Sequence, residues 1–289
     1  MIETRARSPQ PFMPRESFIE LSARERAAAL LDRGTFRELL GPFDRLESPW
    51  LMMQGVVPQT DDGVVVARGT ISGKPSAVLA IEGKFQGGSI GEVSGAKIVT
   101  TLELAREEAS RDRPVQVVFV FETGGVRLQE ANLGLEAIAE INSSLIALRR
   151  QVPVVGIISG PVGCFGGMSI TAALCSYLIV TRQARLALNG PEVIEEQSGI
   201  DEFDSRDRQL IWAVTGGEQR YETGFADVLV EDDTDLIRQA VAGAFARGQP
   251  RSHRSEQVED YLQRLTAIDV THQVDTLALR RTWQRKEVI

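Results

Sequence analysis

Two glycine pairs lie where apolar, strand-like stretches give way to helical patterns, and they are the residues best suited to chemistry. Gly124-Gly125 follows VQVVFVFET, and Gly166-Gly167 follows PVVGIISGPVGCF. Glycine has no Cβ atom, so a ligand can approach the bare backbone there. The first turn of a helix also leaves backbone N–H groups unpaired, and these groups carry partial positive charge. If the two turns converge, they form an oxyanion hole for a thioester enolate, which predicts an acyl-thioester enzyme.

The predicted hole has two sides, one from each glycine turn. Gly124, Gly125 and Val126 supply the first side, where Val126 is included because its amide follows the turn. Gly166 and Gly167 supply the second side. Preorganised amides stabilise the negative oxygen of an enolate more than the neutral carbonyl, and each well-placed donor contributes about 3 kcal/mol. Such a site needs no nucleophile.

The histidines and cysteines favour neither a nucleophilic triad nor a metal site. His253 and His272 are the only histidines, and both lie far along the chain from the glycine pairs, so a Ser-His-Asp arrangement is disfavoured. Cys164 and Cys175 have a spacing that matches no usual zinc pattern. Their apolar neighbours predict buried thiols that behave as small hydrophobic side chains. We therefore expect no metal and no disulfide.

Composition favours a globular protein of the cytoplasm. The chain has 289 residues, of which 43% are apolar, and its net charge of −8 argues against nucleic acid and anionic membranes as partners. The first residues contain no apolar stretch of the kind found in secretory signals. The apolar run at 152–180 is interrupted by proline and glycine, which argues against a membrane span.

Apolar patterns predict alternating strands and helices. The predicted strands span 63–71, 75–82, 115–122, 153–159, 177–181, 185–189 and 227–231. The first predicted helix is capped by Ser22 and Glu25, and the second spans 92–110. A third is predicted from an apolar stripe formed by Leu135, Ile138, Ile141, Leu145 and Leu148. A short helix follows Gly167, further helical segments lie between Pro191 and Thr223, and the last predicted helix of the main domain spans 234–246. Right-handed crossovers between parallel strands then favour a coiled α/β spiral of ββα units over a doubly wound sheet.

The chain is predicted to divide into a main domain and a tail. Residues 1–248 form the domain, with an N-terminal arm and helix, and residues 249–289 form a charged helical tail. The tail ends in four basic residues, which are more typical of a solvated face than of a docking site: Arg280, Arg281, Arg285 and Lys286.

Several motifs together resemble the carboxyltransferase branch of the crotonase superfamily. They are FQGGSIGEVSGAKI, TGGVRLQE, GGMS and GPEVIEE, together with the early helix ARERAAALLDRGTF. The resemblance runs from about residue 20 to 247 and implies a crotonase-like ββα spiral with peripheral helices. Within that branch the chain is most similar to the beta subunits of biotin-independent malonate decarboxylases.

The resemblance implies a reaction and a set of partners. Enzymes of this kind decarboxylate a malonyl group on an acyl carrier protein and leave the acetyl form. No cofactor is then expected to be bound permanently, and the pantetheine arm of the carrier enters as part of the substrate. The motif implies that Phe85, Gly87, Gly88 and Ser89 contact that arm. The implied partners are a gamma-type crotonase-like subunit, the acyl carrier protein and an acyl carrier protein transferase subunit.

Departures from the family pattern leave alternatives open. TGGVR stands where SGGAR is usual, and Glu192 stands where the pattern GPRVIE has arginine, so no role is assigned to Glu192. Arg127, Gln129 and Glu130 are interpreted as support for the first turn. The absence of an N-terminal four-cysteine ribbon argues against an acetyl-CoA carboxylase beta subunit. The remaining alternatives are a subunit of a biotin-dependent acyl-CoA carboxyltransferase, a hydratase or thioesterase, and a non-catalytic scaffold. The proton donor to the enolate is not identified.

Overall fold

The fold is built on one mixed sheet whose seven strands lie side by side in the order in which they occur in the chain. The computed structural model describes residues 15–269, 271 and 276–283. The strands are β1 Arg37–Leu39, β2 Val64–Ile71, β3 Lys74–Ile81, β4 Gln116–Phe121, β5 Val154–Ile158, β6 Tyr177–Thr181 and β7 Val228–Val230. The first three strands pair antiparallel, and every pairing from β3 onward is parallel.

Helices return the chain between the parallel strands and cover both faces of the sheet. The helices are α1 Ala23–Leu30, α2 Glu92–Ser110, α3 Asn132–Leu148, α4 Gly167–Leu174, α5 Pro191–Ser198, α6 Arg208–Thr215, α7 Gly217–Glu222, α8 Thr234–Arg247, α9 Val258–Thr266 and α10 Thr276–Thr282. The predicted capping box at α1 is present, since Ser22 and Glu25 each bond the other's backbone N–H. The predicted range of α2 matches the structure.

A second, smaller set of parallel bridges runs beside the sheet and turns the fold into a spiral. Ile90 pairs with Val126, Thr123 with Cys164, and Cys164 with Leu186. Each repeat therefore consists of a sheet strand, a short bridging segment and a helix. The predicted ββα spiral is confirmed.

Two details of the sequence prediction are wrong. Residues 185–189 form no strand, because only Arg185 and Leu186 make single bridges, and this segment is the last short bridging segment of the spiral. Strand β1 lies outside all of the predicted strands. It is a three-residue edge strand, too short to produce an alternating pattern.

The core lies on both faces of the sheet. Phe119 and Phe121 point toward α2 and α3 and stack with their ring centroids 5.1 Å apart. Val118 and Val120 point to the opposite face, which α1 and α8 cover. A strand buried on both faces has no polar alternation, which explains the continuous apolar run of β4.

The residues after α8 pack against the end of the main body. Phe225 stacks on Tyr261 with ring centroids 5.1 Å apart, and Trp283 lies 5.8 Å from the same ring. Arg280 bonds Gln219 and lies 3.4 Å from Glu218, whereas Arg285 and Lys286 lie outside the described residues. Within the described ranges, no helix is long and apolar enough to cross a membrane.

A buried ion pair ties α1 to the carboxyl end of β4, directly before the first glycine turn. Arg26 Nη1 donates to Glu122 Oε2, and the other nitrogens of Arg26 donate to the carbonyls of Phe18 and Ile19 at 3.0 and 2.6 Å. The Glu122 side chain is tightly packed against Gly160, since a Cβ on that glycine would lie 2.4 Å from Glu122 Oε1. The pair fixes the point at which the chain leaves β4.

Removing the cation of this pair should destabilise the fold strongly. Arg26→Met leaves Glu122 charged and buried, so the free energy of unfolding should fall by about 3–5 kcal/mol. Adding Glu122→Gln removes the uncompensated charge and should recover about half of that loss. Urea unfolding followed by circular dichroism measures both, and an equal loss in the single and double variants would contradict the assignment.

Candidate active site

The two glycine turns meet backbone to backbone at the carboxyl ends of β4 and β5. A Cβ on Gly125 would lie 2.9 Å from Phe165 O and 3.0 Å from Gly166 Cα. A Cβ on Gly166 would lie 3.2 Å from Gly125 Cα and 3.3 Å from Gly124 O. Both residues have positive φ, 106° at Gly125 and 59° at Gly166. The sequence prediction that the two turns converge is therefore correct, and the positive φ values and short distances favour glycine at the contact.

Hydrogen bonds within the fold decide which amides remain for a ligand. Gly124 N–H donates to Gly87 O, and Gly166 N–H donates to Leu188 O, both at 2.8 Å. Gly125 N–H donates to Thr123 Oγ1 at 3.0 Å.

Two of the predicted amide donors remain available to a ligand. Within the part of the chain that the structure describes, Val126 N–H and Gly167 N–H have no hydrogen-bond partner. Gly167 is the first residue of α4, so its amide belongs to the positive end of that helix. Val126 N lies 3.8 Å from the position of a Cβ on Gly166. One amide without a hydrogen-bond partner from each turn thus lies beside the contact, which agrees with the predicted oxyanion hole.

Hydroxyl groups beside the turns support the backbone. Ser169 Oγ donates to Gly166 O at 2.7 Å, and Thr123 Oγ1 accepts from the Gly125 amide. Burial raises the pKa of Cys164 well above its ordinary value and raises that of Cys175 to about 12. Neither thiol is an activated nucleophile. These side chains agree with a site that works through amides.

The predicted pantetheine loop packs against the first glycine turn. Gly87 O accepts the Gly124 amide, and a Cβ on Gly88 would lie 1.9 Å from Glu122 O, so the loop approaches the turn as closely as glycine allows. The ring of Phe85 lies under the guanidinium of Arg127, 5.3 Å from centroid to Cζ. Ser89 O accepts from Arg127 Nη2 at 3.0 Å. The structure therefore places the four predicted loop residues against the first glycine turn and Arg127, which follows it.

Arg127 is the centre of a buried ion cluster beneath the first turn. Its side chain has no exposed surface, and Nη1 lies 2.7 Å from Asp62 Oδ1 and 2.9 Å from Glu130 Oε1. Burial raises the pKa of Asp62, against the opposing effect of the Arg127 charge. Among the described residues, Arg127 Nε has no partner. The predicted supporting role of Arg127 and Glu130 matches these contacts.

Glu130 links the first turn to the start of α2. It accepts hydrogen bonds from Glu92 N–H and from Ser48 Oγ, both at 2.6 Å. Burial raises the pKa of Glu130, but these bonds and Arg127 outweigh burial and leave the pKa below its ordinary value. Gln129, the third predicted supporting residue, reaches Gln86 in the loop at 3.4 Å.

The sequence prediction missed Asp62 and Lys97. Asp62 Oδ2 accepts from Ser94 N–H at 2.8 Å, and Lys97 Nζ donates to Asp61 O at 2.7 Å. Burial lowers the pKa of Lys97, although Asp61 and Asp62 oppose that effect. Lys97 occupies a core-facing position of α2, where an apolar residue is the usual choice. A lysine at a core-facing helix position was the feature of the sequence from which a buried ion cluster could have been predicted.

Comparisons with known proteins show that the chain is similar to carboxyltransferases. A family described as "Carboxyl transferase domain" matches residues 20–260. The "Malonyl-S-ACP:biotin-protein carboxyltransferase MADC" of Malonomonas rubra is 45% identical over 242 residues, which cover 80% of this chain and 76% of that protein.

Two solved structures also contain a chain that is similar to this one. A chain of a Pseudomonas malonate decarboxylase hetero-tetramer in complex with malonate has a TM-score of 0.91 and 58% identity, covering 93% of this chain and 98% of that chain. A chain of the Pseudomonas malonate decarboxylase MdcD–MdcE hetero-dimer has a TM-score of 0.74 and 54% identity, covering 86% and 96% of the two chains.

Neighbouring glycines in the first turn offer a matched test of the hole. A methyl group at Gly125 would force the two turns apart, so Gly125→Ala should lower turnover of a malonyl thioester by about a hundredfold in the assembled enzyme. Gly124→Ala is the control, because its Cβ would meet only Gly87 O, at 3.4 Å, and its turnover should stay within about threefold of wild type. Equal turnover in the two variants, with both folded by circular dichroism, would contradict the predicted hole.

Proposed function

This chain belongs to the carboxyl transferase domain family, and from that premise we propose that it is the beta-type subunit of a malonate decarboxylase. The proposed reaction converts malonyl–acyl carrier protein into acetyl–acyl carrier protein and carbon dioxide. The observation that carries the proposal is the contact of the two glycine turns, with one free amide on each side. The similarity to chains of two malonate decarboxylase structures supports the choice of substrate.

The proposed mechanism uses the backbone amides of Val126 and Gly167. The thioester oxygen accepts hydrogen bonds from both, and the bond between the carboxylate carbon and the α-carbon breaks. Carbon dioxide leaves, and the electron pair moves onto the thioester as an enolate whose charge is on that oxygen. A proton then adds to the α-carbon and gives the acetyl group. The amides accelerate the reaction because they bind the charged enolate oxygen more strongly than the neutral carbonyl.

The loop around Gly87 and Gly88 is proposed to hold the pantetheine arm. Its contact with the first turn supports this role, because an arm lying along the loop would deliver its thioester to the hole. Phe85 and Ser89 complete the proposed contact surface, and Arg127 beneath them fixes the loop by a hydrogen bond at 3.0 Å. No permanently bound cofactor is proposed.

Three partners are proposed: a gamma-type crotonase-like subunit, an acyl carrier protein and an acyl carrier protein transferase subunit. The similar Pseudomonas chains come from a hetero-dimer and a hetero-tetramer, which supports an assembly of unlike subunits. A cytoplasmic location is proposed with them, because Cys164 and Cys175 are free buried thiols, as is usual in a reducing compartment.

One alternative has specific support. The Malonomonas relative is named for transfer of the carboxyl group to a biotin protein. The same enolate hole would serve that reaction, because loss of the carboxyl group from a malonyl thioester generates the same enolate. The enolate gains a proton in both reactions. The two functions differ in the fate of the carboxyl group, which is transferred to a biotin nitrogen in one case and released as carbon dioxide in the other.

Reconstitution with avidin distinguishes the two functions. Co-expressed beta-type and gamma-type subunits, supplied with malonyl–acyl carrier protein and a biotin carrier protein, should release carbon dioxide at the same rate with and without avidin. The purified chain alone should be at least a hundredfold slower, and metal analysis should find no stoichiometric zinc. Avidin-sensitive turnover would replace the proposal with the biotin-dependent reaction, and full activity of the chain alone would refute the proposed assembly.

A further inference from the structure

Two arginine side chains bind the carboxyl end of α4, the helix whose first amide belongs to the proposed hole. The last carbonyls of a helix have no partner within it. Arg149 Nη1 donates to Leu174 O at 2.6 Å. Arg254 Nη1 donates to Cys175 O at 2.7 Å and to Ala173 O at 3.4 Å. Because α4 has eight residues, both cations lie about 12 Å from its amino end along the helix axis.

The two arginines differ in how their charge is balanced. Arg254 lies in the tail and forms an ion pair with Asp227. Arg149 follows the last residue of α3, and its Nη2 donates to Ser255 Oγ in the tail at 2.6 Å. In the part of the chain that the structure describes, no carboxylate forms an ion pair with Arg149. Glu256 acts on it through charge at longer range, and Glu256 is exposed to water.

Helix capping alone does not account for the charge of Arg149. This residue is 4% exposed, and burial lowers its pKa, although a guanidinium stays protonated at neutral pH. A buried cation that has no partner ion destabilises a fold. A neutral donor such as glutamine would satisfy Leu174 O with a smaller loss of hydration. The unpaired charge therefore points to a role besides capping.

The charge of Arg149 acts on the opposite end of α4. A helix carries about +0.5 charge at its amino end and about −0.5 at its carboxyl end. In a helix this short, the negative end weakens the attraction of an anion to the Gly167 amide, and a cation placed there offsets that effect. At an effective dielectric constant of about 20, a unit charge about 17 Å from an anion changes its binding about fivefold.

We propose that Arg149 is a positioning residue that acts through α4 and selects the charged substrate over the neutral product. The malonyl group and the enolate formed from it each carry one negative charge, whereas the acetyl group carries none. Arg149 contacts none of them, and its charge lowers the free energy of both anions at the amino end of α4. This inference rests on the proposed function, because it takes a malonyl thioester as the substrate. It also gives the tail a role, since Ser255 binds Arg149 and Arg254 binds α4.

Charge and hydrogen bonding at position 149 can be separated by two variants. Arg149→Gln keeps a donor for Leu174 O and removes the charge. In the assembled enzyme, kcat/KM for malonyl–acyl carrier protein should fall about fivefold. Affinity for acetyl–acyl carrier protein, measured by titration calorimetry, should stay within about twofold of wild type because the acetyl group is neutral. Arg149→Lys restores the charge and should recover most of the lost kcat/KM.

A matched control removes the same charge from the neighbouring residue. Arg150 is exposed, so water screens its charge, and Arg150→Gln should keep kcat/KM within about twofold of wild type.

A second pair of variants leaves Arg149 in place, so the test does not depend on the folding of Arg149→Gln. Ser255→Asp puts a carboxylate beside Arg149 Nη2 and partly cancels its charge, whereas Ser255→Asn adds a neutral side chain of the same size. The Asp variant should have a kcat/KM about threefold below that of the Asn variant. Its melting temperature should be at least as high, because it gains an ion pair.

Three results would overturn the proposal. The first is wild-type kcat/KM in folded Arg149→Gln enzyme. The second is an equal loss in the Gln and Lys variants, or equal weakening of malonyl and acetyl carrier proteins in Arg149→Gln, since either would leave only a structural role. The third is equal kcat/KM in the two Ser255 variants. A wild-type assembly that releases no carbon dioxide would instead refute the proposed function. The affinities for the two carrier proteins would still measure the effect of the charge.

Discussion

The direct contact between two backbone turns is the constraint on which the rest of the structure depends. A Cβ on Gly125 would lie 2.9 Å from Phe165 O, closer than side chains normally come, a Cβ on Gly166 would be tight against Gly125, and both residues have positive φ. The spiral makes this contact possible because its short parallel bridges, such as Thr123 with Cys164, hold successive turns side by side. The contact in turn sets where the free amides of Val126 and Gly167 lie. A hole made of backbone depends on glycines and on hydrogen bonds that direct the amides.

The contact is held by buried charges on both sides of the first turn. Before it, Arg26 pairs with Glu122, and after it Arg127 lies between Asp62 and Glu130. Buried ion pairs contribute little net stability, because each charge loses its hydration. Their value here is geometric, since each ion makes several directional bonds and fixes the backbone where the chain leaves the sheet. The buried charges thus lie next to the proposed reaction site, where a backbone shift of 1 Å would have the largest effect on the reaction rate.

The sequence predicted the glycine turns, the ββα spiral and the loop at Phe85, because each has a local signature. Apolar runs ending in glycine pairs and a capping box at Ser22 can be recognised from a few neighbouring residues. The missed features depend on distant contacts. Which amides are free depends on bonds such as Gly124 to Gly87, and the role of Lys97 depends on carbonyls more than thirty residues away. Residues 185–189 were predicted as a strand because leucine alternates with other residues in the sequence, but Leu186 is buried and Leu188, which would share its face in a strand, is exposed. Their pairing is limited to single bridges, which alternation alone does not reveal.

The central claim is that the thioester oxygen binds between the amides of Val126 and Gly167. The most direct measurement is a crystal structure of the assembled enzyme with a ketone analogue of the acetyl thioester on a pantetheine arm, in which a methylene group replaces sulfur and the carbonyl oxygen is kept. The account predicts that this oxygen lies about 3 Å from both amide nitrogens. It is contradicted if the oxygen is bound by side chains or by the partner subunit alone, with both amides facing water.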